Sequence, residues 1–179
     1  MLFTRLGVAL ILLVTAVGVR ADAPVPSVQQ LVQAALERTA VQVRYDGSYR
    51  QLTYPGGDVP ADTGVCTDVV IRAYRALGID LQQLVHEDMV QAFERYPALW
   101  GLAAADANID HRRVPNLERF LERQGAALPV SDNAADYLPG DLVSWRLNGR
   151  LPHIGIVVDQ KAPGTDRYQI VHNVGAGPR

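Results

Sequence analysis

The sequence is poor in cysteine and lysine, and both scarcities narrow its possible functions. Cys66 is the only cysteine among 179 residues, so the chain cannot form an internal disulfide or a Cys-x-x-Cys metal site. Lys161 is the only lysine, and 19 acidic residues outnumber 17 basic ones, which gives a net charge of −2. Because binding to nucleic acid or to an anionic membrane depends on clustered Lys and Arg, we expect neither partner.

Long hydrophobic runs are also absent, except for one at the N-terminus. Arg5 precedes an uncharged, largely apolar run over 6–19, which is shorter than the ~20 residues that a spanning helix needs. Small residues up to Ala21 suit a cleavage site, so we predict a signal peptide over 1–21, with an uncleaved anchor as the alternative. We expect an exported protein, periplasmic or secreted, with no stable membrane span after cleavage. Losing Arg5 and Arg20 would take the net charge from −2 to −4.

The hydrophobic periodicity changes along the chain from helical spacing to strand alternation. It predicts helices over 27–39, 65–77, 80–95 and 116–124. It predicts strands over 141–147, 154–159 and 168–173, and a weaker hairpin around Asp46-Gly47. Helices followed by antiparallel strands are typical of the α+β class, so we expect a single α+β domain over 22–179.

Cys66 falls in the first turn of the second predicted helix. Free N–H groups at a helix N-terminus favour a thiolate, so we expect a thiol pKa below the ~8.5 of free cysteine. His153, at the start of a predicted strand, is a candidate base, and His172 on the next strand is a candidate group to orient it. The N–H of Cys66 is a candidate stabiliser of a developing anion. Two alternatives stay open: a core cysteine with structural histidines, or one cysteine and two histidines that bind zinc.

Five short segments, in order, resemble NlpC-type cell-wall peptidases: residues 54–57, 65–79, 139–143, 153–157 and 170–172. Four others resemble a branch of that group, domain-of-unknown-function family 1287: residues 64–68, 86–89, 108–113 and 172–175. The resemblance implies a papain-like fold, with N-terminal helices and the nucleophile helix packed on an antiparallel sheet. It also implies that Cys66, His153 and His172 are catalytic, and that His172 rather than Asn173 faces His153.

Further site residues are expected around this set. By family analogy, Tyr54 lines the oxyanion side of the cleft. Thr67 and Asp68 replace the family's usual Ser-Gly, which would alter the pocket for an acyl-side residue. Arg112 and Arg113 could bind carboxylates of an acidic peptide by charge-assisted pairing; the alternative is a turn capped by an aspartate, with both arginines in solvent.

The function expected from these residues is an exported cysteine hydrolase without metal or cofactor. The resemblance implies an amide substrate in peptidoglycan, either within the stem peptide or where the peptide joins the glycan. One alternative is an inactive wall-binding or inhibitory module of the same fold, because the chain ends soon after the third predicted strand and lacks a further strand usual in the family. Another is an acyl- or aminotransferase that uses the same three residues.

Overall fold

The computed structural model describes residues 4–6 and 26–179, and of residues 4–6 it describes the backbone alone. The predicted signal peptide over 1–21 therefore lies outside the described residues, apart from Thr4–Leu6. In the described part of the chain, no helix is long and apolar enough to cross a membrane.

Four α-helices form where the sequence predicts them: α1 Val28–Arg38, α2 Cys66–Ala76, α3 Leu81–Ala92 and α4 Val114–Arg123. Helix α1 begins at a capping box in which Ser27 accepts from the N–H of Gln30. Helix α2 ends before Gly78, whose φ of +78° lets the chain leave the helix. Asp80 caps α3 by accepting from the N–H of Gln82.

The described strands form two sheets. They are β1 Thr4–Leu6, β2 Arg44–Tyr45, β3 Thr63–Gly64, β4 Ala127–Leu128, β5 Leu142–Leu147, β6 Leu151–Lys161 and β7 Tyr168–Val171. The larger sheet is antiparallel in the order β4-β1-β5-β6-β7, and it contains the three strands predicted from the sequence. A turn at Asn148-Gly149 joins β5 to β6, with both residues at positive φ.

The prediction of a hairpin around Asp46-Gly47 is wrong. Strand β2 instead pairs in parallel with β3, with Tyr45 opposite Gly64. The Asp46 carboxylate accepts from the N–H of Ser48 at 2.9 Å, so the segment after β2 closes on itself as a local turn. The parallel pair brings β2 alongside the residues that lead into α2.

The core lies between the helices and one face of the larger sheet. Helix α2 packs on β6 through fully buried residues such as Val70, Ala73, Ile154 and Ile156, and α1 packs against both elements. The architecture is therefore mixed α+β, with the cysteine-bearing helix on an antiparallel sheet. After β7 the chain folds back, and His172 and Arg179 exchange backbone hydrogen bonds at 3.1 and 3.0 Å.

Candidate active site

Cys66 is the first residue of α2 and is 4% exposed. Its sulfur lies near the backbone N–H groups of Thr67 and Ile154 and near the hydroxyl of Tyr45, all of which stabilise the thiolate by hydrogen bonding. Because Ile154 directly follows His153, this contact places the sulfur beside the strand position of the candidate base. The α2–β6 packing therefore brings the cysteine and the histidine strand together.

The structure reverses the expected direction of the thiol pKa. Burial raises the pKa of Cys66 above its ordinary value, and it outweighs the hydrogen bonds from Ile154, Thr67 and Tyr45 that lower it. The helix N-terminus was expected to have the largest effect on the thiol pKa, but desolvation of the nearly enclosed sulfur has a larger one. At neutral pH the resting group is a thiol.

His153 and His172 form a hydrogen-bonded pair. The Nε2 atom of His153 lies 3.1 Å from the Nδ1 atom of His172. Ile156 pairs with Val171, so His172 comes opposite Gly155 and lies diagonally across from His153 on the same face of the sheet. A Cβ at Gly155 would lie 3.0 Å from the Cβ of His172 and 2.6 Å from a methyl carbon of Ile170. Glycine at 155 thus lets the two strands hold the imidazoles together.

Both imidazoles are neutral at pH 7. Burial and then the neighbouring His172 lower the pKa of His153 from 6.5 to about 4, and burial also lowers the pKa of His172. The Trp145 ring lies 4.6 Å from the His153 ring and 5.4 Å from the His172 ring, between centroids. A neutral imidazole can accept a proton, so this pair retains the capacity of a general base.

Asn173 faces away from this pair. Its side chain is fully buried, with Nδ2 3.5 Å from the carbonyl oxygen of Gly64 and Oδ1 accepting from the N–H of Gly175 at 3.1 Å. The structure therefore brings His172, rather than Asn173, to His153. Within the described residues, no hydrogen bond joins the sulfur of Cys66 to an imidazole.

A cleft of about 600 Å³ opens next to Cys66. Its walls carry three partly exposed aromatic residues, Tyr45, Tyr49 and Trp100, together with Arg113. Tyr45 is the one whose hydroxyl reaches the sulfur; burial and the nearby thiol raise its pKa to about 12, so it remains a hydrogen-bond donor at neutral pH. The cleft can therefore bind an extended substrate over the thiol.

Tyr54 does not reach the site predicted for it. Its ring lies against His86 at 5.0 Å between centroids, and 44% of the residue is exposed. Tyr45, rather than Tyr54, lines the cleft, with its hydroxyl beside the sulfur. The parallel pairing of two-residue strands that places Tyr45 there leaves no periodic signal in the sequence, so this residue was missed.

Thr67 and Asp68 also lie outside the cleft. The Thr67 hydroxyl donates to the carbonyl of Arg112 at 3.0 Å, and Asp68 accepts from the N–H of Val65 at 2.6 Å. Both residues are buried beneath the site. They fix the start of α2 rather than receive a substrate.

The two candidate arginines have different surroundings. Arg112 is buried, pairs with both carboxylate oxygens of Asp68 at 3.0 Å, and donates to the carbonyls of Asp46 and Ser48, so it has a structural role. Arg113 lines the cleft, lies 4.1 Å from the centre of the Trp100 ring, and pairs with Asp110 at 3.2 Å. The expectation that both arginines bind substrate is therefore wrong for Arg112, and the solvated alternative fails for it as well.

These elements define an α+β protein with a buried cysteine at a helix start, a histidine pair on the adjoining strands and an aromatic cleft. Within the described residues, no group of three or more His, Cys, Asp or Glu side chains is arranged to hold a metal ion. The chain belongs to the family described as Domain of unknown function (DUF1287), which matches residues 32–179.

A curated relative is similar over most of the same region. The "Uncharacterized protein YijF" of Escherichia coli (strain K12) is 52% identical over 148 residues, which cover 82% of this chain and 71% of the relative. No solved structure matches the chain.

Proposed function

We propose that the protein is an exported cysteine hydrolase of papain-like architecture that cleaves an amide bond in peptidoglycan. The observation that carries the proposal is the juxtaposition of Cys66, at the start of α2, with the strand that holds His153. His172 binds the ring of His153 from the neighbouring strand at 3.1 Å. This is the order of roles, nucleophile, base and orienting group, that a thiol hydrolase requires.

The mechanism uses the tautomer in which His153 Nε2 donates to His172 Nδ1, across the 3.1 Å contact between these atoms. In that tautomer His153 Nδ1 is the acceptor for the thiol proton. As this proton moves to Nδ1, the sulfur attacks the amide carbon and forms a tetrahedral intermediate. The imidazolium then gives the proton to the leaving amine nitrogen, and water hydrolyses the resulting thioester through the same base. Because both partners are neutral at rest, the proton transfer accompanies the attack.

Two donors are available for the negative charge that develops on the substrate oxygen. The N–H of Cys66 lies in the first turn of α2, where helix N–H groups lack intrahelical partners. The Tyr45 hydroxyl lies beside the sulfur and lines the cleft. Donors placed in this way stabilise the tetrahedral intermediate more than the substrate.

The likeness to NlpC-type peptidases supports a peptidoglycan substrate. A stem-peptide bond or the amide between peptide and glycan would lie across Tyr45, Tyr49 and Trp100, whose exposed rings offer flat apolar surfaces. Export beyond the inner membrane, with cleavage after Ala21, would bring the protein to this substrate. N-terminal sequencing of the protein recovered from the periplasm or medium tests this location, with Asp22 as the expected first residue.

The test of the activity is incubation of purified protein with isolated peptidoglycan and identification of the products by mass spectrometry. We expect new amine and carboxyl ends with the wild type and none with Cys66→Ala. Fragments released equally by both proteins, or by neither, would contradict the hydrolase. Cys66→Ser is a useful second variant because it retains the shape of the site.

The alternative is a wall-binding or inhibitory module of the same fold without catalysis. Two observations favour it: burial raises the pKa of Cys66, and no described imidazole is bonded to the sulfur. Sedimentation with insoluble peptidoglycan separates the two functions. Binding that is equal in the wild type and Cys66→Ala, without any released product, would support the module.

A further inference from the structure

The charged side chains that line the cleft over Cys66 are both guanidinium groups. Arg112 and Arg113 border the cleft, and none of the described residues that line it is an aspartate or a glutamate. Arg112 is buried and is neutralised by its two hydrogen bonds to the carboxylate of Asp68. Arg113 is therefore the charged group that a substrate in the cleft can meet.

Most of the hydrogen-bonding capacity of Arg113 is unused. A guanidinium can donate from Nε, Nη1 and Nη2. Within the described chain Arg113 makes a single hydrogen bond, from Nη1 to the Asp110 carboxylate at 3.2 Å. Its Nε and Nη2 retain accessible surface, whereas the unpartnered Nε atoms of Arg38, Arg75 and Arg119 are buried. With 16% of its side chain exposed, Arg113 can bind a ligand through the edge that Asp110 leaves free.

Trp100 and Asp110 fix the orientation of this guanidinium. Its Cζ atom lies 4.1 Å from the centre of the Trp100 ring. Asp110 is itself held, because its carboxylate also accepts from the N–H of Asp106 and its carbonyl accepts from Asn116 Nδ2. Asp110 lines the adjoining cavity of about 350 Å³ rather than the cleft, so the guanidinium stays open towards the cleft. A group that is oriented in advance loses little conformational freedom when it binds a ligand.

The N-termini of two helices add positive potential to the same cleft. Helix α2 begins at Cys66 and helix α4 begins at Val114, and both residues line the cleft. Helix α4 has no side-chain cap, and the N–H of Val114 has no partner among the described residues. Because a helix N-terminus carries partial positive charge, it supports an anion bound by the neighbouring Arg113.

We propose that Arg113 binds a carboxylate of the substrate, so that the protein selects an acidic group next to the amide it cleaves. The planar guanidinium donates paired N–H bonds from Nε and Nη2 to the carboxylate oxygens, a geometry that an ammonium group cannot reproduce. An acidic side chain and a free C-terminus would both present this chemistry. The proposal rests on the proposed function, since it names the substrate group that is bound in the cleft of the hydrolase.

The first test compares tripeptide probes on the Cys66→Ala protein, which binds without turnover. All are N-acetylated and have alanine at both ends. One has a central glutamate and an amidated C-terminus, one has a central glutamine and a free C-terminus, and the neutral probe has a central glutamine and an amidated C-terminus.

By calorimetry or NMR titration we expect at least one carboxylate probe to bind about tenfold or more tightly than the neutral probe. Preference for the glutamate probe identifies an acidic side chain as the source, and preference for the free C-terminus identifies a terminal carboxylate. Binding of the neutral probe that equals that of both carboxylate probes, or no detectable binding of any probe, would overturn the proposal.

The second test locates the binding. Arg113→Gln removes the guanidinium from the cleft, and Arg95→Gln is the matched control, because Arg95 has a side chain that is 71% exposed and does not line the cleft. Both substitutions remove one positive charge. We expect the carboxylate preference to disappear in Arg113→Gln and to persist in Arg95→Gln. A preference that survives in both variants would place the carboxylate elsewhere and overturn the proposal.

Arg113→Lys separates binding from folding. Arg113→Gln leaves the buried Asp110 without its counter-charge, so its fold is checked by circular dichroism, whereas Arg113→Lys keeps a positive charge there. Since lysine lacks the planar fork, we expect the preference to fall by about threefold or more in the folded Arg113→Lys protein. An unchanged preference in that variant would overturn the paired hydrogen bonds and with them the proposal.

These outcomes are distinguishable from failure of the proposed function. Turnover of peptidoglycan without a carboxylate preference overturns only the assignment of Arg113. A carboxylate preference without turnover overturns only the hydrolase.

Discussion

At the residue scale, the reactivity of Cys66 depends on two opposed influences on its sulfur. Burial favours the neutral thiol, whereas the Tyr45 hydroxyl and two backbone N–H groups favour the thiolate. The backbone donors are fixed by the fold, and the Tyr45 donor can be removed by substitution. Tyr45 is also 43% exposed and lines the cleft, so the residue is accessible to a substrate bound there.

Tyr45→Phe should slow turnover by about 10²-fold or more, because it removes a donor to the developing oxyanion. It should also raise the pKa of the Cys66 thiol further, which alkylation rates measured across pH will report. The matched control is Tyr49→Phe, since Tyr49 lines the same cleft but its hydroxyl bonds to Asp106 at 3.0 Å. Equal turnover and equal thiol pKa in the two variants would remove Tyr45 from the mechanism.

His172→Ala should lose turnover, whereas Asn173→Ala should lose stability. Removing His172 frees the Nε2 of His153, so we expect turnover to fall about tenfold or more with little change in melting temperature. Removing Asn173 leaves the N–H of Gly175 without its buried partner, so we expect a loss of about 1–3 kcal/mol in unfolding free energy while the folded fraction keeps its turnover. Steady-state kinetics and urea unfolding of each variant provide the comparison; the opposite assignment of defects would mean that Asn173 orients the base.

At the scale of elements, the sequence predicts features whose causes are local. The Ser27 box, the glycine after α2 and the alternation in β5 to β7 each depend on neighbouring residues, and all occur in the structure. Alternation alone shows only that one of His172 and Asn173 can face His153; the family resemblance implies that it is His172, which the structure places there. Short-range pattern is thus sufficient for the helices and the main strands.

What the sequence does not predict depends on partners that are distant along the chain. Arg112 reads as a surface arginine until Asp68, 44 residues earlier, buries it in an ion pair. Tyr45 reaches the thiol through pairing of β2 with β3, which a two-residue strand cannot signal. The direction of the Cys66 pKa required knowing how completely α2 and β6 enclose the sulfur.

The Asp68–Arg112 pair should be essential to the first turn of α2. Asp68→Asn leaves a buried guanidinium without its counter-charge, so we expect a loss of about 3–5 kcal/mol in unfolding free energy. The comparison is Glu122→Gln, which breaks an exposed pair with Arg119 and should cost less than about 1 kcal/mol. Urea unfolding monitored by circular dichroism measures both; a similar small loss in the two variants would show that the buried pair is dispensable.

At the scale of the whole molecule, buried histidines make stability depend on pH. Burial lowers the pKa values of His153 and His111 from 6.5 to about 4 each, and that of His172 in the same direction. Between pH 6.5 and 4 the unfolded chain therefore binds protons that the folded chain does not, and the native state loses stability as pH falls. Asp110 makes the opposite contribution to the pH dependence of stability: burial raises its pKa, so its contribution destabilises the native state as pH rises.

We therefore expect the urea midpoint to decrease from pH 7 to pH 5, with the unfolding slope checked for constancy. His111→Gln removes one of the depressed groups away from the histidine pair, so the decrease should be smaller in that variant. A midpoint that is independent of pH in the wild type, or an equal decrease in His111→Gln, would contradict this account of the buried histidines.

The place of β1 in the larger sheet has a consequence for how the protein matures. The backbone of Thr4–Leu6 lies between β4 and β5, with Arg5 opposite both Leu128 and Val143. Under the proposed cleavage after Ala21, these residues leave with the signal peptide, and β5 loses its partner on that side. The larger sheet then differs between the precursor and the processed protein. After processing, the edge of β5 that paired with β1 is a row of unpaired backbone groups, which either stays in water or accepts another strand. Proteolytic processing would thereby leave β5 with an unpaired edge at which a second chain could add to this sheet.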